Sequence, residues 1–177
     1  AASERAVHSD GRAFGMRVLL GDIAMDHDTA ARLGCEEVAD FRSVLSEVDV
    51  LTIHTPKTDL TSGMMGAREL AAMKPGAVLI NCARGGLVDE TALLAALSSG
   101  KLLGAGLDVF DDEPPGRDNP FLKLPNVILS PHSAGSTRES GRRMGIETAE
   151  NILAALDGTL SDENIFNLDA LRAAGHR

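Results

Sequence analysis

The chain has 177 residues, a formal net charge of −9, 44% hydrophobic residues and only 3% aromatic residues. This length and apolar content predict a globular domain and exclude a disordered chain. The acidic balance argues against a nucleic-acid groove or an anionic membrane surface, both of which select for Lys and Arg. Cys35 and Cys82 have no disulfide, redox or metal spacing. We therefore expect a cytoplasmic protein that uses no nucleic acid, membrane or metal.

Short β-rich runs alternate with helical stretches along the whole chain. The first half predicts helices over 3–14, 26–33 and 41–48, and strands over 16–20, 35–38 and 49–54, with Gly34 as a helix cap. The second half predicts helices over 67–73 and from Asp89 to Gly100, and strands over 77–81, 105–110 and 126–129. A last helix is predicted from Ser136, where Glu139 completes a capping box, to Gly158. Strands and helices in alternation predict an α/β fold with a doubly wound parallel sheet.

Polar residues follow one predicted strand after another. They are Asp22, His54-Thr55-Pro56, Cys82-Ala83-Arg84, Asp108 and His132. Ligands bind at the carboxyl ends of the strands in an open parallel sheet. A single strand often ends in a polar residue for structural reasons alone, but five in succession favour a functional edge.

Three of these positions indicate specific chemistry. Asp22 ends the first predicted strand, where dinucleotide folds place the acidic residue that binds the ribose diol of NAD. No Arg follows that could bind the 2′-phosphate of NADP, so the sequence favours NAD. Arg84-Gly85-Gly86 combines a tight turn with a side chain that can grip a carboxylate; a surface salt bridge is the structural alternative. His132 becomes a usable acid–base if the fold brings Glu113, in the proline-rich loop 111–125, against it. We expect His8, His27 and His176 to be exposed.

No P-loop, HExxH, GxSxG or paired CxxC motif occurs, and no G-x-G-x-x-G occurs either. Four motifs in order nevertheless resemble the D-isomer-specific 2-hydroxyacid dehydrogenases, at 81–90, 104–110, 113–115 and 130–135. The resemblance implies an NAD-dependent oxidoreductase with a Rossmann-like domain and a 2-oxo or 2-hydroxy acid as substrate. It extends from about residue 5 to residue 168.

The resemblance also implies the roles of individual residues. Arg84 would hold the carboxylate and carbonyl oxygen of the substrate, His132 would donate the proton, and Glu113 would be the partner of His132. Asp108 would face the nicotinamide. The remaining residues that would line NAD are Asp22, Thr55, Pro56, Cys82, Ala83, Ala134 and Gly135, together with Arg84 and His132.

One feature departs from the family pattern. The glycine fingerprint lies about 20 residues before the ribose acid, which from Asp22 is at or before residue 1, and Glu4 stands where its last glycine would align. We therefore expect an NAD-binding domain over 1–160 that lacks the family's first, central strand together with the glycine fingerprint, and a tail over 161–177 that in relatives returns to a substrate domain. Unpaired strand edges and the resemblance predict a homodimer. The alternatives are a catalytically incompetent fragment, an NAD(H)-binding or oligomerisation module, and a non-enzymatic NAD(H) sensor.

Overall fold

Parallel strands alternate with helices in the structure, a computed structural model that describes residues 2–23 and 25–175. This confirms the predicted α/β class. The helices are α1 (Ala2–Ala13), α2 (His27–Leu33), α3 (Ala67–Ala72), α4 (Glu90–Ser98), α5 (Arg138–Leu156) and α6 (Leu168–Ala173). The strands are β1 (Leu19–Leu20), β2 (Glu36–Glu37), β3 (Val50–Ile53), β4 (Ala77–Asn81), β5 (Leu102–Leu107) and β6 (Val127–Leu129). Among the described residues, no helix is long and apolar enough to cross a membrane.

The described strands form two parallel sheets. One contains β1 and β2, and the other has the order β3-β4-β5-β6. In the larger sheet Thr52 pairs with Ile80, Ile80 with Gly106, and Gly106 with Ile128, so the four strands run in register.

The core lies around the four-stranded sheet. Strand β4 alternates buried and half-buried residues, with Ala77, Leu79 and Asn81 at most 3% exposed. Helix α4 contributes the buried Leu93 and Leu97 to the same cluster. This packing fixes the strand ends that carry the candidate site.

Helix caps follow local sequence rules, with one correction. Asp26 and Asp89 cap α2 and α4 as N-caps, and Gly34 ends α2 in the left-handed conformation. The predicted capping box at Ser136 is wrong by one residue. Thr137 is the N-cap of α5, because its side chain accepts the hydrogen bond from the Ser140 amide at 3.0 Å.

Several other predictions need correction. The strands β1 and β2 are only two residues long. The helix predicted over 41–48 is a 3-10 turn at Phe41–Val44. The strand predicted over 105–110 begins earlier, at Leu102, because Leu102 pairs with Ala77 of β4. His8, in α1, is buried and not exposed. His27 is exposed as predicted, and His176 lies outside the described residues.

The chain divides into two compact units, one ending at His132 and the other beginning at Ser133. The second unit contains α5, a 3-10 turn at Asp162–Asn164 and α6, so the segment after Gly158 contains regular elements. Three apolar side chains of α5 are exposed, at Ile152, Leu153 and Leu156. The predicted domain boundary at residue 160 stays a prediction.

Candidate active site

The candidate site is the edge where the carboxyl ends of β3, β4, β5 and β6 meet. His54 follows β3, Cys82 to Arg84 follow β4, Asp108 follows β5, and His132 comes three residues after β6. Neighbouring strands are about 4.8 Å apart, so β4 and β6, on either side of β5, are separated by roughly 10 Å. That span is suited to a small ligand lying across the ends of β4, β5 and β6.

A buried asparagine shapes the turn that carries Arg84. Asn81 is 3% exposed, its amide nitrogen donates to the Arg84 carbonyl at 2.9 Å, and its amide oxygen accepts from the Ala83 backbone at 3.1 Å. The Asn81 carbonyl also accepts from the Asp108 amide at 3.0 Å. The Arg84 side chain is exposed and donates to the Ala83 carbonyl at 2.6 Å. One side chain therefore fixes the turn and leaves the guanidinium facing solvent.

Gly85 joins this turn to the loop that carries Glu113. A Cβ built on Gly85 would overlap the carbonyl group of Phe110 and would lie 3.0 Å from the Asp111 nitrogen. Only glycine permits so close an approach between the two backbones. The glycine therefore sets the distance between the end of β4 and the segment after β5.

We expect Gly85→Ala to destabilise the protein by about 1–3 kcal/mol, because the added methyl group must displace the Phe110 backbone. Urea unfolding followed by circular dichroism measures this change. Gly116→Ala is the matched control, since a Cβ at Gly116, in the same loop region, meets nothing within 4 Å. Equal free energies of unfolding for the two variants would contradict the close approach.

His132 and Glu113 form the central contact of the site. The imidazole Nδ1 lies 2.6 Å from Oε2 of Glu113, and the other carboxylate oxygen accepts from the Phe110 amide at 2.9 Å. Each oxygen of the Glu113 carboxylate therefore has a hydrogen-bond partner, and the two partners together fix its orientation. The ionised carboxylate can only accept, so Nδ1 carries the proton and Nε2 is left for a ligand.

The backbone of His132 supports this orientation. Its φ of 52° places it in the left-handed region, where the structure has no other described residue except glycines. Such a conformation costs free energy in a residue with a side chain and occurs frequently at functional sites. Here it turns the chain directly after β6 and accompanies the contact with Glu113.

Asp108 is buried beside the same edge. It is 1% exposed, and the Ser130 hydroxyl donates to its Oδ1 at 2.6 Å. Burial raises the pKa of the nearby Cys82 thiol, and the Asp108 carboxylate raises it further. Cys82 is therefore a neutral, exposed thiol at neutral pH and not an activated nucleophile.

The other predicted cofactor residues are more dispersed. Asp22 is exposed, two residues after β1, and Thr55 and Pro56 follow β3 with Thr55 half-buried. Ala134 and Gly135 lie in the second unit, in the turn before α5. For these residues, binding of NAD stays a prediction. The family-like motifs contain Asn81, Ser130 and Glu90, but the sequence alone indicates no role for these three residues.

The Glu113 contact has a pH signature. The hydrogen bond from His132, and then that from the Phe110 amide, lower the pKa of Glu113 in the folded protein. The ionised Glu113 carboxylate therefore stabilises the folded protein. This stabilisation is complete above the pKa of Glu113 in the unfolded chain, about 4.3, and is lost as the pH falls through the lower pKa of Glu113 in the folded protein. We expect the free-energy difference between wild type and Glu113→Gln, from urea unfolding, to shrink below about pH 4.3. A difference that is independent of pH would contradict the contact.

Comparison with known proteins decides the family. Residues 4–134 match the family described as D-isomer specific 2-hydroxyacid dehydrogenase, NAD binding domain. The chain belongs to this family. D-3-phosphoglycerate dehydrogenase of Methanocaldococcus jannaschii is 43% identical over 157 residues, which are 89% of this chain and 30% of that protein. Glyoxylate reductase of Korarchaeum cryptofilum is 40% identical over 167 residues, 94% of this chain and 50% of that protein.

Solved structures of the family agree with the fold. The D-isomer specific 2-hydroxyacid dehydrogenase from Lactobacillus delbrueckii ssp. bulgaricus, in its NAD complexed form, superposes with a TM-score of 0.81 at 35% identity. The match covers 89% of this chain and 51% of that chain. The Rossmann-like fold and NAD as the cofactor of the family are therefore confirmed. This chain spans 30–50% of the length of the two named relatives.

Proposed function

We propose that this chain supplies the NAD-binding and catalytic part of a dehydrogenase that interconverts a small 2-oxo acid and the corresponding D-2-hydroxy acid. The observation that carries the proposal is the 2.6 Å contact between His132 and Glu113, at the same sheet edge as Arg84. A carboxylate-oriented imidazole and a guanidinium are the two groups that reduction of a 2-oxo acid requires: one donates a proton and the other holds an anion.

Arg84 is the group proposed to bind the substrate carboxylate. Its guanidinium has no carboxylate partner among the described residues, and its one side-chain bond, to the Ala83 carbonyl, leaves further N–H groups available. Two parallel N–H donors match a carboxylate in a fixed plane. Binding in this way would present the neighbouring carbonyl group of the substrate to the edge between β4 and β6.

His132 is the proposed general acid. With Nδ1–H held by Glu113, the protonated ring can release the Nε2 proton to the carbonyl oxygen as that oxygen gains negative charge. The resulting neutral ring keeps its Nδ1–H tautomer, and in the oxidative direction Nε2 takes the proton back. Glu113 holds the ring in this orientation and stays ionised throughout, in keeping with its lowered pKa.

The residues of the edge fit a nicotinamide dinucleotide. After β4 the chain presents Cys82, Ala83 and Gly85, which are small, so a ligand can approach the backbone closely. The buried Asp108 and the half-buried Ser130 form a hydrogen-bonded pair where the nicotinamide end would lie, and Asp22 follows β1 as a ribose ligand would. When bound, NADH supplies the hydride that the substrate carbon accepts.

A direct test measures NADH binding by fluorescence and NADH oxidation with glyoxylate, hydroxypyruvate and 3-phosphohydroxypyruvate. The test uses two proteins, this chain alone and a joined form. The joined form is a fusion of this chain with the half of the Korarchaeum cryptofilum glyoxylate reductase that this chain does not match. Turnover by either protein supports the proposal. NADH binding without turnover in both folded proteins would favour the alternative of an NAD(H)-binding module. Absence of both would contradict the assignment of the site.

We also propose a cytoplasmic homodimer. The free thiols of Cys35 and Cys82 favour a reducing compartment. The exposed Ile152, Leu153 and Leu156 of α5 offer apolar surface for a second copy. Light scattering coupled to size exclusion measures the mass directly, and a monomer at micromolar concentration would contradict the dimer.

A further inference from the structure

Two consecutive backbone amides after β5 are each held by a carboxylate. The Phe110 amide donates to Oε1 of Glu113 at 2.9 Å, and the Asp111 amide donates to Oε1 of Glu90 at 2.8 Å. The first bond belongs to the proposed acid–base pair. The second comes from a residue 21 positions earlier in the chain, on another element.

Glu90 is attached to a well-fixed part of the molecule. It is the first residue of α4, whose N-cap Asp89 accepts from the Ala92 amide at 2.9 Å. Leu87 and Val88 before it, and Leu93 after it, are at most 4% exposed. The segment that Glu90 holds is different, since residues 111–114 are exposed and lie outside any helix or strand. The bond therefore ties an exposed loop to the core.

The surroundings of Glu90 disfavour its charge. Burial raises the pKa of the Glu90 carboxyl group, and the carboxylates of Asp111 and Asp112 raise it further, whereas the hydrogen bond from the Asp111 amide lowers it. A helix N-terminus favours an acidic residue at this position. The helix does not, however, account for the bond across to the loop, which directs the carboxylate toward the chain that carries Glu113.

We propose that Glu90 is a positioning residue for the Glu113–His132 pair. By holding the Asp111 amide it sets the path of residues 110–113, and so the direction from which the Glu113 carboxylate meets Nδ1 of His132. The consequence is the Nδ1–H tautomer, with Nε2 facing the substrate. The expected effect on turnover rests on the proposed function, whereas the effect on the tautomer does not.

The experiment compares Glu90→Ala, which removes the acceptor, with Glu90→Gln, which keeps an amide oxygen in its place. Long-range nitrogen-15 NMR of the full chain reports the tautomer of His132 without any turnover. Asp118→Ala is the control, because it removes an exposed carboxylate from the same loop region. If the alanine variant does not fold, Glu90→Ser, whose side chain is too short to reach the loop, replaces it.

We expect the alanine variant to lose the predominance of the Nδ1–H tautomer, while the glutamine and Asp118 variants keep it. Where the protein turns over, kcat should fall about tenfold in the alanine variant, with KM for NADH unchanged and with recovery in the glutamine variant. A wild-type tautomer in folded Glu90→Ala or Glu90→Ser would overturn the proposal. So would the same change of tautomer in Asp118→Ala. If no protein turns over, the proposed function fails and the tautomer still decides the role of Glu90.

Discussion

Replacing His132 by asparagine should lower kcat for NADH-dependent reduction of a 2-oxo acid by at least about 10²-fold, while the Kd for NADH changes little. The asparagine amide can still donate a hydrogen bond to the Glu113 carboxylate, but it cannot transfer a proton to the substrate near neutral pH. Steady-state rates and a fluorescence titration of NADH, made on the same preparation, separate the two quantities. The loss is expected in kcat because the proton moves only as the carbonyl oxygen becomes charged.

The chain offers a matched control for this substitution. Nδ1 of His27 lies 2.8 Å from Oε2 of Glu37, so the molecule contains a second imidazole–carboxylate pair, distant in sequence and exposed. His27→Asn should leave kcat within a factor of about two, because a solvent-exposed pair contributes little. If NADH affinity falls as much as kcat in His132→Asn, His132 is a cofactor contact and not the acid–base.

Arg84→Lys should lower kcat/KM for the 2-oxo acid by about 10²-fold, although the charge is kept. Lysine presents a single ammonium group and cannot match the planar carboxylate with two parallel donors, and a hydrogen bond between charged groups is worth about 1.5–3 kcal/mol. The protein itself should be unaffected, because the Arg84 side chain is exposed and bonds only to the adjacent Ala83 carbonyl. The expected change is therefore confined to the substrate.

Arg117→Lys tests whether that effect depends on position. Arg117 is an exposed arginine in the loop region after Glu113, so the same exchange there should leave both kcat/KM and the urea midpoint unchanged. The NADH Kd should also be unchanged in Arg84→Lys. A kcat/KM within twofold of wild type in Arg84→Lys would remove Arg84 from the substrate site.

Periodicity and capping residues predicted the elements around the site well. Strand β4 occupies the predicted residues 77–81, since this short apolar run lies between the break at 74–76 and the turn at 83–86, and Asp89 caps α4 as predicted. The parallel pairing of the strands could likewise be inferred, because alternating strands and helices favour a parallel sheet. The two-residue strands β1 and β2 were overestimated, since a pattern of apolar residues does not show how much of a strand finds a partner.

Contacts between distant residues could not be predicted from spacing. Glu113 and His132 are 19 residues apart, separated by a proline-rich loop, and only the fold shows that they meet. The roles of Asn81 and Ser130 were missed for a related reason. A buried amide or hydroxyl acts through the backbone or carboxylate that it touches, and the sequence does not show that partner. His8 was wrongly predicted to be exposed because its helix, interrupted by Gly11, is only weakly indicated by the sequence.

The proton and hydride chemistry at this edge can be tested by one measurement. Hydroxypyruvate is incubated with NADH that carries deuterium at the transferred position of nicotinamide C4, and the glycerate formed is analysed by mass spectrometry and chiral chromatography. The site predicts D-glycerate with one deuterium at C2 from this chain or its joined form, and at least about 10²-fold less of it in the same time from His132→Asn. L-glycerate, unlabelled glycerate, or no glycerate from a folded joined form that binds NADH would contradict the assignment.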